Sequence, residues 1–515
     1  MSAAPSHALQ RTATRLMSAC DGWHEHWSII LLCLVAGVRV FVFSAAFPFF
    51  NNVDEQAHFD LVVKYSLGKI PTRLDFIAPE SARYMVLFGS PEYFFKPEQF
   101  PDGKIPTPLC NLPADQTKER FEHQMVLWQR EVNHEASSAP LYYLVAAGWL
   151  LLGRSLGLEG VHLLYWIRFL NVFVIAALVW LGFVAARMVF QGRRWLWLGV
   201  PLLLAFFPQD ALYSIQSDVL SPLCFGAAFI CLVKWLPGVD APDRRLSVMT
   251  GLTIAATGLT KSSNLPLLAV AFVFVLGKIW RLARAKNLRT AMPGLGLLTV
   301  CAVVPIAAWM VWNWHIFGDL TGSEVKIQFL GWTPKPFADW WHHPIFTLHG
   351  AWIFASELIA SFWRGEFVWS LRRLAWPMMD KFYLISSVLL LGSALVGLLR
   401  KSSDRGPVRS LGLWLALASF AAAVAFLAFL SIAFDFGQCF YPSREHPYFT
   451  SGRLLCGALI PFLLLYVYGL DQVLARIRNK ATPILVLSGV VLLIVISEID
   501  INLPAFYSQY NFFHL

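Results

Sequence analysis

The chain has 515 residues, 57% hydrophobic and 14% charged, where a soluble globular domain runs at roughly 45–50% and 25%. So little charge excludes a cytosolic enzyme of this length, and so much hydrophobicity excludes a disordered chain. The net charge of +9 is scattered between apolar runs, and the eight cysteines form no CxxC pair, which argues against a nucleic-acid binder and a zinc module.

Apolar stretches of about 18–25 residues read as spanning helices. In chain order they fall at about 27–49, 163–186, 195–213, 217–236, 247–263, 264–281, 291–316, 378–399, 410–434, 454–471 and 482–499. Basic residues precede the first run, but its length and Arg39 make it a span rather than a cleaved signal. Segment 138–153 is apolar but short and reads as an interfacial helix. Segment 346–364 contains Glu357 and ends in Trp363-Arg364-Gly365-Glu366; it either spans or lies in the interface. The fold expected is an all-α polytopic membrane protein with about 11–13 transmembrane helices. It forms one membrane domain over residues 1–515, with no separate soluble domain.

Lysine and arginine in short loops set the orientation. With the N-terminus in the cytoplasm and the spans alternating, eighteen basic residues fall at cytoplasmic ends, among them Arg193, Lys278, Arg400 and Arg476. The two short outer connections hold only Lys261. Segments 50–162 and 317–377 then form two large outer loops, and 435–453 a shorter, polar one. An outer loop of over a hundred residues is usually functional. Cys110 and Cys439 share that side, which allows a disulfide between them.

The first chemical candidate follows the first span directly: Asn51-Asn52-Val53-Asp54-Glu55-Gln56-Ala57-His58. In a helix starting near Val53, Asp54 and His58 sit at i and i+4 on one face, with Glu55 one step round. Partial desolvation at a membrane surface would raise the basicity of the carboxylates, which suits a general base for a hydroxyl. A helix cap with solvated acids explains the same residues, and both readings stay open. The second candidate is Asn133-His134-Glu135-Ala136-Ser137-Ser138-Ala139-Pro140-Leu141-Tyr142-Tyr143, where His134, Glu135 and Tyr142 either face an outer cavity or, for the tyrosine, anchor at headgroup depth. Lys261 and Arg453 stand at span mouths, where a cation serves either a lipid phosphate or headgroup snorkelling. Asp218 opens a span near Asp210 and either orients such a cation or caps a helix. Arg39, midway in the first span, needs a partner that local sequence does not supply. The outer cluster Trp340-Trp341-His342-His343 suits sugar stacking or headgroups and lacks an acidic metal partner.

The order of these features resembles the GT-C superfamily of integral-membrane glycosyltransferases. The likeness is to the aminoarabinose-transferase and protein O-mannosyltransferase branch, and to bacterial relatives with an Asp-Glu-x-x-His element. It rests on Asp54-Glu55 after the first span, Ala139-Pro140-Leu141-Tyr142-Tyr143 closing the outer loop, Arg168-Phe169-Leu170-Asn171 in the second span, Pro208 before Asp218, and Leu259-Thr260-Lys261. The motifs cover about residues 27–270. The long soluble C-terminal domain of some relatives is missing, and Ala139-Pro140 replaces the commoner Pro-Pro. The resemblance implies inverting transfer of a sugar from a polyprenyl-phosphate donor to a lipid, glycan or protein hydroxyl on the non-cytosolic face. It implies Asp54 as the base, Glu55 as its catalytic neighbour and Lys261 at the donor phosphate. His58, His134, Glu135, Tyr142, Asp218 and Arg453 are the further substrate-binding candidates. Metal dependence varies across the superfamily, so the resemblance leaves a divalent metal open and assigns none. The expected setting is a bacterial inner membrane with the active site outside. A flippase of lipid-linked sugars, or a glycan polymerase or ligase, would share the spans and outer loops.

Overall fold

A computed structural model describes residues 7–400, 406–437, 447–475, 477 and 481–513, with backbone alone over 7–25 and at 114 and 116. It is an all-α polytopic membrane protein. The helices are α1 (His7–Ala46), α2 (Glu55–Ser66), α3 (Pro79–Phe88), α4 (Ala114–Arg130), α5 (Leu141–Ser155), α6 (Gly160–Val189), α7 (Arg194–Ala205), α8 (Ser221–Trp235) and α9 (Arg244–Thr260). They continue with α10 (Leu265–Arg284), α11 (Leu288–Phe317), α12 (Ser323–Phe329), α13 (Leu348–Arg364), α14 (Pro377–Leu399), α15 (Pro407–Ala433), α16 (Leu459–Leu474) and α17 (Thr482–Phe506). Thr333–Pro334 pairs antiparallel with Phe434–Asp435, and Val368–Trp369 with Arg372–Arg373; these ladders only fasten loops.

All eleven expected segments contain helix. Among the described residues, nine helices are long and apolar enough to cross a membrane. The two others, α7 and α9, have 12 and 17 residues. At 1.5 Å per residue α7 rises about 18 Å, well short of a hydrocarbon core near 30 Å. Its apolar sequence runs on, but the backbone leaves the helix at Ala205 and continues as buried irregular chain through two short 3-10 turns. Non-helical backbone in such a place needs partners from the protein. Asn171 Nδ2 donates to the carbonyls of Leu212 (3.1 Å) and Ser214 (2.9 Å), and Gln209 Nε2 to those of Ser361 (3.0 Å) and Phe362 (2.8 Å). This pinned segment forms one wall of the site described below. The expected interfacial helix is α5. Segment 346–364 is α13, 17 residues long, with Phe362 and Trp363 fully buried and Glu357 paired to Arg373.

Two arginines explain how the first span is held. Arg39 finds its partner in the last span: Nε lies 3.0 Å from Glu498 Oε2 and Nη2 2.5 Å from Oε1, with further bonds to the carbonyls of Ala205 and Phe207 and to the Tyr213 hydroxyl. Arg168 closes the C-terminal end of α1, where carbonyls lack helical partners. It donates to the carbonyls of Ser44 (3.1 Å), Phe47 (2.6 Å) and Pro48 (2.8 Å), and to both oxygens of Glu55 (2.8 and 2.7 Å). Those bonds use all five guanidinium N–H groups.

The loops assigned to one side by alternation meet there, through Asp54–Arg453, Asp218–Lys261 and Glu135–Lys326. Those assigned to the other side meet through Arg193–Asp471 and through Lys278 on the carbonyls of Pro237 and Gly238. Which of the two ends faces the cytoplasm rests on the count of basic residues. In a background with Cys20, Cys110 and Cys439 replaced by serine, Ala285→Cys is expected to react with an impermeant maleimide only from the cytoplasmic side, and Glu98→Cys only from the outer side. Inverted labelling in sealed vesicles would overturn that orientation. Cys110 is a free thiol, and Cys439 lies outside the described residues, as does the expected pairing.

Candidate active site

Asp54 immediately precedes α2, but it does not cap it. Its backbone takes the left-handed conformation (φ 61°), which aspartate tolerates better than most residues, and its side chain makes no capping bond. That twist takes Asp54 out of the helical repeat and aims its carboxylate at two distant segments. Oδ2 accepts from Arg453 Nη2 at 2.6 Å, and Oδ1 lies 3.2 Å from His134 Nε2. Burial alone would push the carboxyl upward, as the sequence suggested; the guanidinium and His134 outweigh it and hold Asp54 well below the usual carboxylate range.

Two chains of charge run outward from this carboxylate. Along one, Arg453 Nη1 bonds Gln216 Oε1 at 3.2 Å and lies 3.8 Å from Asp218 Oδ2, which Lys261 Nζ reaches at 2.5 Å. Along the other, His134 Nε2 lies 3.8 Å from Glu135 Oε1, which is paired with Lys326. Ser138 donates to the second Glu135 oxygen. Burial pushes Glu135 upward, but the Lys326 ammonium outweighs it and holds the carboxyl well below its usual range. A third carboxylate, Glu366, approaches Arg453 Nε at 3.7 Å and accepts from Ser451.

The two lysines stand over a groove of about 90 Å³ between α10 and α11. Leu265, Leu268, Ile306, Trp309 and Met310 give it an apolar wall, and Asn313 closes it near the lysines. Asn313 is 1% exposed, and neither its amide nitrogen nor its oxygen has a partner among the described residues. A buried amide left unpaired costs about 1–3 kcal/mol, which a polar ligand group would relieve.

Lys261, which looks isolated in sequence, is therefore paired with Asp218. His134, Glu135, Asp218, Lys261 and Arg453 converge with Asp54. Glu55 does not, while Tyr142 and His58 are buried behind the cluster, Tyr142 within the field of Asp218 and His58 within that of Asp54, Glu135, Asp218 and Lys261. Glu55 is fully buried, and both oxygens are consumed by Arg168 and by the backbone N–H groups of Phe50 (2.9 Å) and Ile215 (3.0 Å), so no room remains for an acceptor. Its position corrects the assignment as a catalytic neighbour to a structural one. Tyr142 is 2% exposed and packs in the core beneath the outer loop. His58 donates its backbone N–H to the Asp54 carbonyl at 3.0 Å, but its ring makes no bond to the Asp54 carboxylate: Nδ1 bonds the Tyr143 hydroxyl at 2.7 Å, and Nε2 is buried without a partner among the described residues. Lys326, Glu366 and Asn313 were missed. Lys326 carried only the weak signal of a cation in an outer loop, and Glu366 that of an acid after an aromatic segment.

Burial lowers the His58 pKa to about 4, so the ring is neutral in the fold and protonates far more readily once unfolded. Between the ordinary value near 6.5 and about 4 the unfolded chain binds the extra proton, so stability falls as the pH drops through that window. His58→Gln is expected to flatten the loss of Tm between pH 7 and pH 5; an unchanged profile would place the acid sensitivity elsewhere.

One oxygen each of Asp54 and Glu135 and a nitrogen of His134 lie within 4.8 Å of one another, a spacing and a donor set that suit a divalent cation. Arg453 and Lys326 already neutralise the two carboxylates, so such an ion would compete with both.

Residues 37–436 match the family model described as predicted membrane protein, DUF2142. The chain belongs to the DUF2142 family. No curated protein matches it. The matched span of this DUF2142 protein includes Asp54, His134, Glu135, Asp218, Lys261 and Lys326, while Arg453 and Glu498 lie beyond its end.

Proposed function

We propose that this DUF2142 protein is a GT-C-type glycosyltransferase of the bacterial inner membrane, moving a sugar from a polyprenyl-phosphate donor to a hydroxyl acceptor on the outer face. One observation carries the reading: a carboxylate released from helix capping is joined by two charged chains to a pair of lysines above an apolar groove that descends between two spans. The apolar wall of the groove suits the first part of a prenyl chain, the rest of which would lie in lipid, and a phosphate suits Lys261, Lys326 and the Asn313 amide. The acceptor oxygen attacks the anomeric carbon while Asp54 takes its proton. The bond from that carbon to the phosphate oxygen breaks, and its electron pair leaves on the phosphate. Cations placed in advance stabilise that charge, often the largest catalytic effect.

Arg453 adds an order to these events. While it holds Asp54, the carboxylate is a weak base. An arriving phosphate competes for the guanidinium, and Asp54 regains basicity as it is released. Donor binding therefore precedes acceptor activation.

The test is transfer from a panel of radiolabelled polyprenyl-phosphate sugars in membranes containing the wild type or its variants. Lys261→Ala and Lys326→Ala are each expected to raise the donor KM about 10- to 100-fold, the worth of a charged hydrogen bond, with a smaller change in kcat. Unchanged donor kinetics in both, or no transfer from any donor of the panel, would remove the phosphate assignment.

A further inference from the structure

We infer that the first outer loop contains the acceptor site, and that it takes a membrane amphiphile, a molecule with an apolar chain and a hydroxyl; this rests on the glycosyl-transfer reading above. A cavity of about 960 Å³ lies within the loop, near the upper end of the roughly 300–1,000 Å³ common for small-molecule sites. Its walls are mostly apolar, with Ile77, Met85, Val86, Leu109 and Trp128 among them. Gln56, Ala57 and His134 also line it, which brings the cavity within one side chain of Asp54 through the 3.2 Å contact of His134.

Two further features choose the occupant. Gln56 Oε1 is buried and has no hydrogen-bond partner among the described residues. An unpaired acceptor two residues from the reactive carboxylate calls for a donor, and a second hydroxyl of the acceptor headgroup is one, which leaves the proton of the reacting hydroxyl to Asp54. The second feature is depth. Phe50 and Tyr510 line the cavity, and each lies four residues beyond the outer end of a span, Ala46 of the first and Phe506 of the last. The cavity thus meets the membrane at headgroup level, where an apolar chain enters from the lipid without crossing water. Lys104, Arg120 and Glu131 are exposed around it, a net positive set that favours an anionic amphiphile over a zwitterionic one.

The experiment uses the full chain in detergent and a fatty acid carrying a terminal diazirine, irradiated and mapped by mass spectrometry. Labelling is expected on residues 77–132, competed by an anionic single-chain phospholipid. It should fall about tenfold in Val86→Trp, which puts an indole into the cavity from its wall. Thr107→Trp narrows the cavity from an exposed position, so it tests the same space with the core intact. Labelling confined to lipid-facing spans, or unchanged in both variants, would overturn the inference. Labelling requires no sugar transfer, so the two readings separate. Labelled protein that transfers from no donor keeps the lipid site and loses the reaction. Transfer to a water-soluble glycan or peptide, with kinetics indifferent to both variants, keeps the reaction and loses the lipid site.

Discussion

Asp54→Asn is expected to lower turnover by about two to four orders of magnitude, the usual worth of a positioned base. Asparagine keeps the size of aspartate and tolerates the left-handed backbone that residue 54 adopts at φ 61°. It can still accept from Arg453, so the loop should stay in place. What it loses is the lone pair that takes the acceptor proton. Donor binding should be retained or improved, because Arg453 no longer has a full charge at residue 54 to hold it back. Single-turnover rates at saturating donor would show the loss, and equilibrium donor binding would show its absence. An asparagine variant with wild-type turnover would return the base to Glu135 or Glu366.

Glu55→Gln should behave in the opposite way, damaging the fold before the chemistry. Removing one member of a buried ion pair costs about 3–5 kcal/mol, because the other charge remains buried and uncompensated. Here that charge is Arg168, 1% exposed, whose remaining bonds hold the carbonyls at the end of α1. The variant is expected to accumulate poorly and to show a lower Tm in detergent, with any folded fraction near wild type in turnover per molecule. Pairing Glu55→Gln with Arg168→Met should recover part of the loss, since no unpaired charge then remains. A stable Glu55→Gln protein with lost activity would restore Glu55 to the catalytic machinery.

These neighbours show where sequence reading stops. Asp54 and Glu55 are adjacent acids after the same span, and hydropathy treats them alike. One backbone rotation at residue 54 sends one carboxylate to Arg453 and His134 and leaves the other in the core. The spans themselves were readable because lipid imposes a length and a composition on them. Segment 195–213 misled because its hydrophobicity outlasts its helix; side chains from other segments satisfy the backbone at its end, and no local pattern announces them. His134, Glu135, Asp218 and Lys261 were legible as polar breaks at the outer surface. Their arrangement was not, because it depends on Arg453, 399 positions from Asp54, and on Lys326 in a loop that reads as solvated.

The Arg39–Glu498 pair has a consequence for biogenesis. The two residues are 459 positions apart, so at about 5–20 residues per second the ribosome needs roughly 20–90 s to deliver the second after the first. Ala205, Phe207 and Tyr213 arrive earlier and offer hydrogen bonds, but throughout that interval the first helix carries a guanidinium without a counter-charge, which by insertion scales costs about 2.5–3.5 kcal/mol. The nascent chain therefore needs a temporary counter-charge or a hydrated shelter, such as the lateral channel of an insertion machine, until its last helix arrives. A chain interrupted before Glu498 would never complete that exchange and would present an orphaned cation to membrane quality control, so the last helix acts as the checkpoint for the first.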